Sequence, residues 1–278
     1  MYTRVLAAVN EHVNSEVAAR YAKQLAKAAG AKLFLCAIAE PGHPEKDFEL
    51  AREAVRRVQH AARENGVETE ALFDRGDPVE RIREFASRQG IDIVIAATRH
   101  EDVKHRFYAG PTVARRLLHA VPCSVALVRV VHLGRTHPRE VLVPLKGHID
   151  HIPERAYFTA MLARTFDSTV HLFHATQPLK RFFHGEIHLT PLEWEGRLPP
   201  DIARFVEHLD HYRVAHEKRL APGMTGRSIT IEAASRRRDL IIMGAGTRSL
   251  VDYLVKGNPV EYVLRETPCN LIILKPGK

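Results

Sequence analysis

The stretch DLIIMGAGTRSLVDYLVKGNP, residues 239–259, joins an apolar run to a helix start through glycines at 244, 246 and 257. Glycine at the end of a strand lets a neighbouring group approach the backbone closely. Gly257 and Asn258 stand just before Pro259, and proline at the first helical position gives up only an N–H that has no partner within the helix. A strand ending in Gly244, a loop of about a dozen residues and a fresh helix N-terminus can surround phosphate oxygens with main-chain N–H groups. Lys146, Arg248 and Lys256 are cations placed to face such an anion. A charge-assisted contact of this kind contributes about 1.5–3 kcal/mol when shielded from water. The chemistry expected is therefore the binding of a phosphate-bearing ligand.

Other chemistries lack their parts. The sequence holds no G-x-S-x-G elbow, no H-E-x-x-H pair and no G-x-x-x-x-G-K-[S/T] loop, so hydrolase, zinc-protease and P-loop readings have no nucleophile, metal or lysine in place. No catalytic residue is expected, and at most a weak ATPase activity. His208 and His211 lie three apart on an expected helix, where they would share a face, but no cysteine or carboxylate completes a ligand set. No metal site is assigned; a metal-responsive protein using the histidines of the second half stays an alternative. Cys123 and Cys269 each follow proline and lead into an apolar strand, which marks them as packing residues.

The elements that must position the loop fill 278 residues that are 45% hydrophobic, enough for one large core or two ordinary ones. No apolar run approaches the ~20 residues that span a bilayer. The opening MYTRVLAAVNEH turns polar too early for a signal peptide, and three cysteines suit a reducing compartment. The expected location is the cytoplasm. The net charge of +8 is spread among acidic residues, without aromatics on a basic face, so nucleic acid is not the expected partner.

The chain repeats itself. RVLAAV (4–9) matches EVLVPL (140–145), KLFLCAI (32–38) matches TVHLFHA (169–175), IDIVIAA (91–97) matches RDLIIMG (238–244), and CSVALVRV (123–130) matches CNLIILKP (269–276). Strands apolar on both faces, alternating with helical patterns, indicate a parallel sheet covered on both sides. Helices are expected over 47–65 and 79–89, with weaker strands at VETEALF (67–73) and VAHEKRL (214–220). The segment 178–200, with prolines at 178, 191, 199 and 200, reads as an inserted surface loop. A nucleotide-free protein-interaction module working through that loop is a second alternative.

The duplicated unit, the element DLIIMGAGTRSLVDYLVKGNPVEYVLRETPCNLIILK and the opening VLAAVNEHVNSEVAARYAKQLA resemble the universal stress protein family in its tandem two-domain form. The resemblance covers nearly the whole chain and implies domains at 1–133 and 138–278. It implies two doubly wound five-stranded α/β sheets of order 3-2-1-4-5, adenine nucleotide alpha hydrolase-like, paired as a pseudo-dimer through their fifth strands. Members that bind ATP use G-x2-G-x9-G-[S/T] after the fourth strand and an aspartate at the end of the first. Here Gly244, Thr247, Gly257 and Asn258 stand at the motif spacing, with Gly246 one residue ahead of the second glycine position. The first copy departs further, with Ala97, His100, Gly110 and Pro111. Asn10 and Lys146 replace the first-strand aspartate. The resemblance thus implies a stress sensor or regulator binding ATP or AMP mainly in the second half. A homodimer or an unnamed protein partner is compatible with it.

Overall fold

The apolar runs pair into a ten-stranded sheet in the computed structural model of the chain, which describes residues 1–98, 112–176, 199–222, 225–245 and 259–277. The first half runs β1 (Arg4–Val9), α1 (Val13–Ala29), β2 (Lys32–Ala39), α2 (Glu45–Glu64), β3 (Thr69–Arg75), α3 (Pro78–Gln89), β4 (Ile93–Thr98), α4 (Val113–Ala120) and β5 (Ser124–Arg129). The second runs β6 (Glu140–Pro144), α5 (Ile152–Phe166), β7 (Thr169–Thr176), α6 (Pro200–His211), β8 (His216–Pro222), α7 (Thr225–Ser235), β9 (Leu240–Gly244), α8 (Pro259–Glu266) and β10 (Asn270–Lys275). The spatial order is β3-β2-β1-β4-β5-β10-β9-β6-β7-β8, so each half has the expected order 3-2-1-4-5 with parallel neighbours. The halves meet where β5 and β10 pair antiparallel, Leu271 opposite Arg129 and Lys275 opposite Val125. The inserted segment, up to residue 198, lies outside the described residues.

Helices cover both faces of the sheet, and the apolar central strands are buried between them. One face carries α1, α2, α5 and α6 over a core with Tyr21, Phe48, Phe158 and Phe205; the other carries α3, α4, α7 and α8 over Phe34, Leu117 and Val263. The first core crosses the boundary between halves, where the Tyr21 and Phe166 rings meet edge-on at 5.9 Å and Tyr2 and Tyr157 at 5.4 Å. All three cysteines are buried, and burial pushes the thiols of Cys36 and Cys269 up to about 12 and that of Cys123 to about 11. Cys123 and Cys269 are thus packing residues, as the sequence indicated.

Local chemistry sets the boundaries in both copies. Asp77 caps α3, its Oδ1 accepting from the N–H groups of Val79 (2.9 Å) and Glu80 (3.1 Å), with Pro78 just inside. Asp92 and Asp239 are equivalent staples at the starts of β4 and β9. Each directs one carboxylate oxygen to two successive N–H groups on the neighbouring strand, Thr3 and Arg4 in one half, Arg139 and Glu140 in the other. The weak strands β3 and β8 both begin two residues later than their sequence suggests. Val67 and Val214 instead close the preceding helix, donating to the carbonyls of Ala62 and Leu209. The residue before each has positive φ, Gly66 at 73° and Arg213 at 55°. Where the first half places Gly66 and Gly90 at helix ends, the second places Arg213 and Arg237, whose side chains bear the left-handed backbone at a cost of about 1 kcal/mol each.

The halves are locked by two reciprocal hydrogen-bond sets at the first residues of the fifth strands. Asn270, fully buried, accepts at Oδ1 from the N–H groups of Val131 (2.8 Å) and His132 (2.9 Å), in the segment that leaves β5. Its Nδ2 donates to the carbonyls of Arg135 (3.1 Å) and His132 (3.3 Å) and to the Tyr21 hydroxyl (3.4 Å). At the equivalent position, Ser124 Oγ accepts from Gly277 N–H at 2.7 Å, just beyond β10, and donates to Glu154. Glu154 also accepts from the Tyr2 hydroxyl at 2.9 Å, which ties α5 to the first half.

Candidate functional site

The strand order of the second half reverses between β6 and β9, the place where open parallel sheets bind ligands. A cavity of about 820 Å³ opens there, beyond the carboxyl ends of the strands. That size matches the ~300–1,000 Å³ of small-molecule sites. Its apolar wall comes from Val143, Phe173, Ile242 and Leu274, one from each of β6, β7, β9 and β10. The loop 145–151 between β6 and α5 forms another side, and Pro259 and Val260, which open α8, a third.

Polar groups converge on this wall. Lys146 follows the end of β6, Lys275 ends β10, and Arg155 and Thr159 project from one face of α5, four residues apart. Asp150 is the one carboxylate among the described lining residues. Arg155 is half-buried, and burial pulls its guanidinium below the ordinary value, opposed by Asp150 and Glu154. Its Nε is buried with no hydrogen-bond partner among the described residues. α5 starts from His151, held at φ 53°, whose carbonyl accepts the Arg155 N–H at 3.1 Å. A non-glycine residue held there is mildly strained, and such strain gathers at functional sites.

Gly244 has a concrete neighbour. A Cβ at that position would fall on the Arg155 guanidinium, 3.0 Å from Nε and nearer still to Cζ and Nη1. The glycine ending β9 therefore admits a side chain of the same half. The first half is built differently. Counting back from the helix ends Gly30 and Asp167, the residue matching Arg155 is Ala18, which is buried, and the residue matching Gly244 is Ala97. Where the guanidinium is missing, the strand end carries a Cβ.

The loop that edges the cavity is fixed by α6. Asp201 Oδ2 accepts from the Ile149 N–H at 2.9 Å and lies 2.9 Å from His148 Nδ1, while His148 Nε2 lies 3.1 Å from Asp150 Oδ1. The Ile149 N–H first, and His148 after it, hold the Asp201 carboxyl below its ordinary value. Its stabilising contribution is therefore complete above the ordinary carboxylate value of ~3.9 and fades as pH falls through the lower folded one. Asp201→Asn is expected to melt below wild type near about pH 5–6, with the gap closing towards about pH 3. Melting curves across that range check it, and a gap of constant size would remove the clip.

Of the residues singled out by sequence, Gly244 and Lys146 both line the cavity. Gly246, Thr247, Gly257, Asn258 and Gly110 lie outside the described residues, as do Arg248 and Lys256. Asn10 occupies the equivalent end of β1 in the first half, where its Oδ1 accepts from the His12 N–H (3.1 Å) and leads the chain into α1. Sequence reasoning missed Arg155, Lys275 and the Asp201 clip. Among the described residues no group of three or more histidine, cysteine or acidic side chains is arranged to hold a metal, and no helix is long and apolar enough to cross a membrane.

Comparison with known proteins agrees with the fold. The universal stress protein family matches twice, over residues 1–129 and 139–275. A universal stress protein from Archaeoglobus fulgidus DSM 4304 superposes with a TM-score of 0.68 at 16% identity, over 99% of this chain and 97% of its own. A chain from Pseudomonas aeruginosa UCBPP-PA14 does so with 0.63 at 16% identity, over 99% and 94%. At such identities the likeness speaks for the fold, and no curated protein matches. Two family matches filling a duplicated sheet identify the chain as a member of the universal stress protein family in its tandem two-domain form.

Proposed function

We propose that the second half binds an adenine nucleotide, ATP or AMP, in the cavity between β6 and β9, and that the protein acts in the cytoplasm as a stress sensor or regulator. The observation that supports this most is the cavity's lining: a nucleotide-sized hollow at the switch point, apolar on one wall, with Lys146, Arg155 and Lys275 reaching it against one carboxylate among the described residues. The apolar wall suits a base, and the cations suit phosphate. The sequence adds Gly244, Thr247, Gly257 and Asn258 at the spacing with which the family holds ribose and phosphates.

The first half serves as a structural copy. Ala97 and Pro111 replace motif residues there, and proline offers no N–H to a phosphate. Mass spectrometry of ligand released from the denatured protein, followed by calorimetric titration with ATP and AMP, tests the reading. Gly257→Val is expected to abolish binding with the fold intact, and Gly110→Val to leave it unchanged. Absence of nucleotide from the purified protein, together with no heat on titration at millimolar concentration, would overturn it.

A further inference from the structure

The cations of the cavity bear on how a nucleotide would be neutralised. A magnesium ion carried by a polyphosphate is normally held through one or two protein carboxylates as well as the phosphates. At the end of the first strand of this half the chain places Lys146, whose ammonium repels a divalent cation. Asp150, the one carboxylate among the described lining residues, is 3.1 Å from His148 at the cavity's edge. Lys275, mostly buried, brings a further positive charge from β10. Arg155 is half-buried with Nε lacking a partner among the described residues, and its head lies over Gly244. A guanidinium presents a planar fork of donors matched to phosphate oxygens, and it can act there as a fixed counter-charge.

We infer that the site takes its nucleotide as the metal-free anion, with Arg155, Lys146 and Lys275 supplying the positive charge that magnesium supplies elsewhere. The inference rests on the nucleotide reading above. It makes the ligand a free polyphosphate nucleotide and makes its attraction to the site sensitive to salt, because ions screen charges separated by more than about 8–10 Å at ordinary ionic strength.

The test is calorimetric titration of the full chain with ATP, once in EDTA and once in excess magnesium chloride. Affinity in EDTA is expected to exceed that in magnesium by about tenfold or more, because excess magnesium ties up the free anion, and to weaken as sodium chloride rises. Arg155→Met should weaken the EDTA titration roughly 10- to 100-fold, since one charge-assisted contact is lost. The variant removes a half-buried charge and should melt no lower than wild type, which separates loss of binding from loss of fold. Affinity in magnesium equal to or tighter than that in EDTA, or an Arg155→Met titration matching wild type in EDTA, would overturn the inference and leave the nucleotide reading standing. No heat in either medium would remove the nucleotide reading itself.

Discussion

Replacing Asn270 with alanine is expected to destabilise the protein by about 3–5 kcal/mol, measured as the loss of unfolding free energy in urea. The amide is fully buried and serves five partners, two N–H groups at Oδ1 and three acceptors at Nδ2. Alanine leaves the N–H groups of Val131 and His132 without an acceptor where the chain leaves β5. Each buried donor left unmatched costs about 1–3 kcal/mol, which exceeds the ~1 kcal/mol net value of an ordinary hydrogen bond. Ser124→Ala, at the equivalent position of the first half, removes one acceptor from Gly277 and one donor to Glu154, so a smaller loss of about 1–2 kcal/mol is expected. Asn270→Asp keeps the acceptor but sets a carboxylate near the carbonyls of His132 and Arg135, and should fall close to the alanine variant. A loss below about 1 kcal/mol for Asn270→Ala would mean that the segment after β5 finds other partners, and the reciprocal lock would have no energetic content.

This lock has no local signature in the sequence. Strand and helix order, the duplication and the apolar faces follow from periodicities of two and about 3.6, which any local window contains. The pairing of Asn270 with residues 131–135 spans about 140 positions, and no local pattern encodes it. A partial signal was present: both copies place a polar residue directly after Pro-Cys and before an apolar run, in PCSVALV and PCNLIIL. A polar residue at the first position of a buried strand needs a partner, and its repetition at matched places points to a shared device. The shifts of β3 and β8 have a different origin. Val67 and Val214 belong to an apolar alternation by type, but their N–H groups are used by the helices before them. Only the left-handed residues preceding them, Gly66 and Arg213, mark the change, and an arginine gives no such warning.

The site divides along the same line. Lys146 and Gly244 were legible because each sits where an apolar strand ends, and strand ends are where ligands bind. Arg155 was hidden inside a helix whose apolar stripe gave no reason to notice one charged residue in its first turns. The glycine at 244 suggests room for a ligand, and the group that lies against it is the Arg155 guanidinium. Comparing the two copies would have suggested this: glycine goes with arginine in the second half, and Ala97 with Ala18 in the first.

That covariation makes a quantitative expectation for binding. Gly244→Ala should weaken nucleotide affinity about tenfold, roughly 1.4 kcal/mol, and cost less than about 1 kcal/mol of stability. The new methyl would fall on the end of a flexible side chain, which can swing away cheaply, and Gly244 has no positive φ that alanine would resist. What changes is the position of the guanidinium, moved from the place where the phosphate would meet it. In an Arg155→Met background there is no guanidinium to move, so Gly244→Ala should then alter affinity by less than about twofold. The coupling energy of this double-mutant cycle, about 1 kcal/mol or more, isolates the contact between the two positions from any general disturbance of β9. Titration of the wild type, both single variants and the double variant with ATP in EDTA measures it. An equal loss on Gly244→Ala in both backgrounds would mean that the glycine serves the ligand directly. In that case the closeness of Arg155 to the strand end would have no part in recognition.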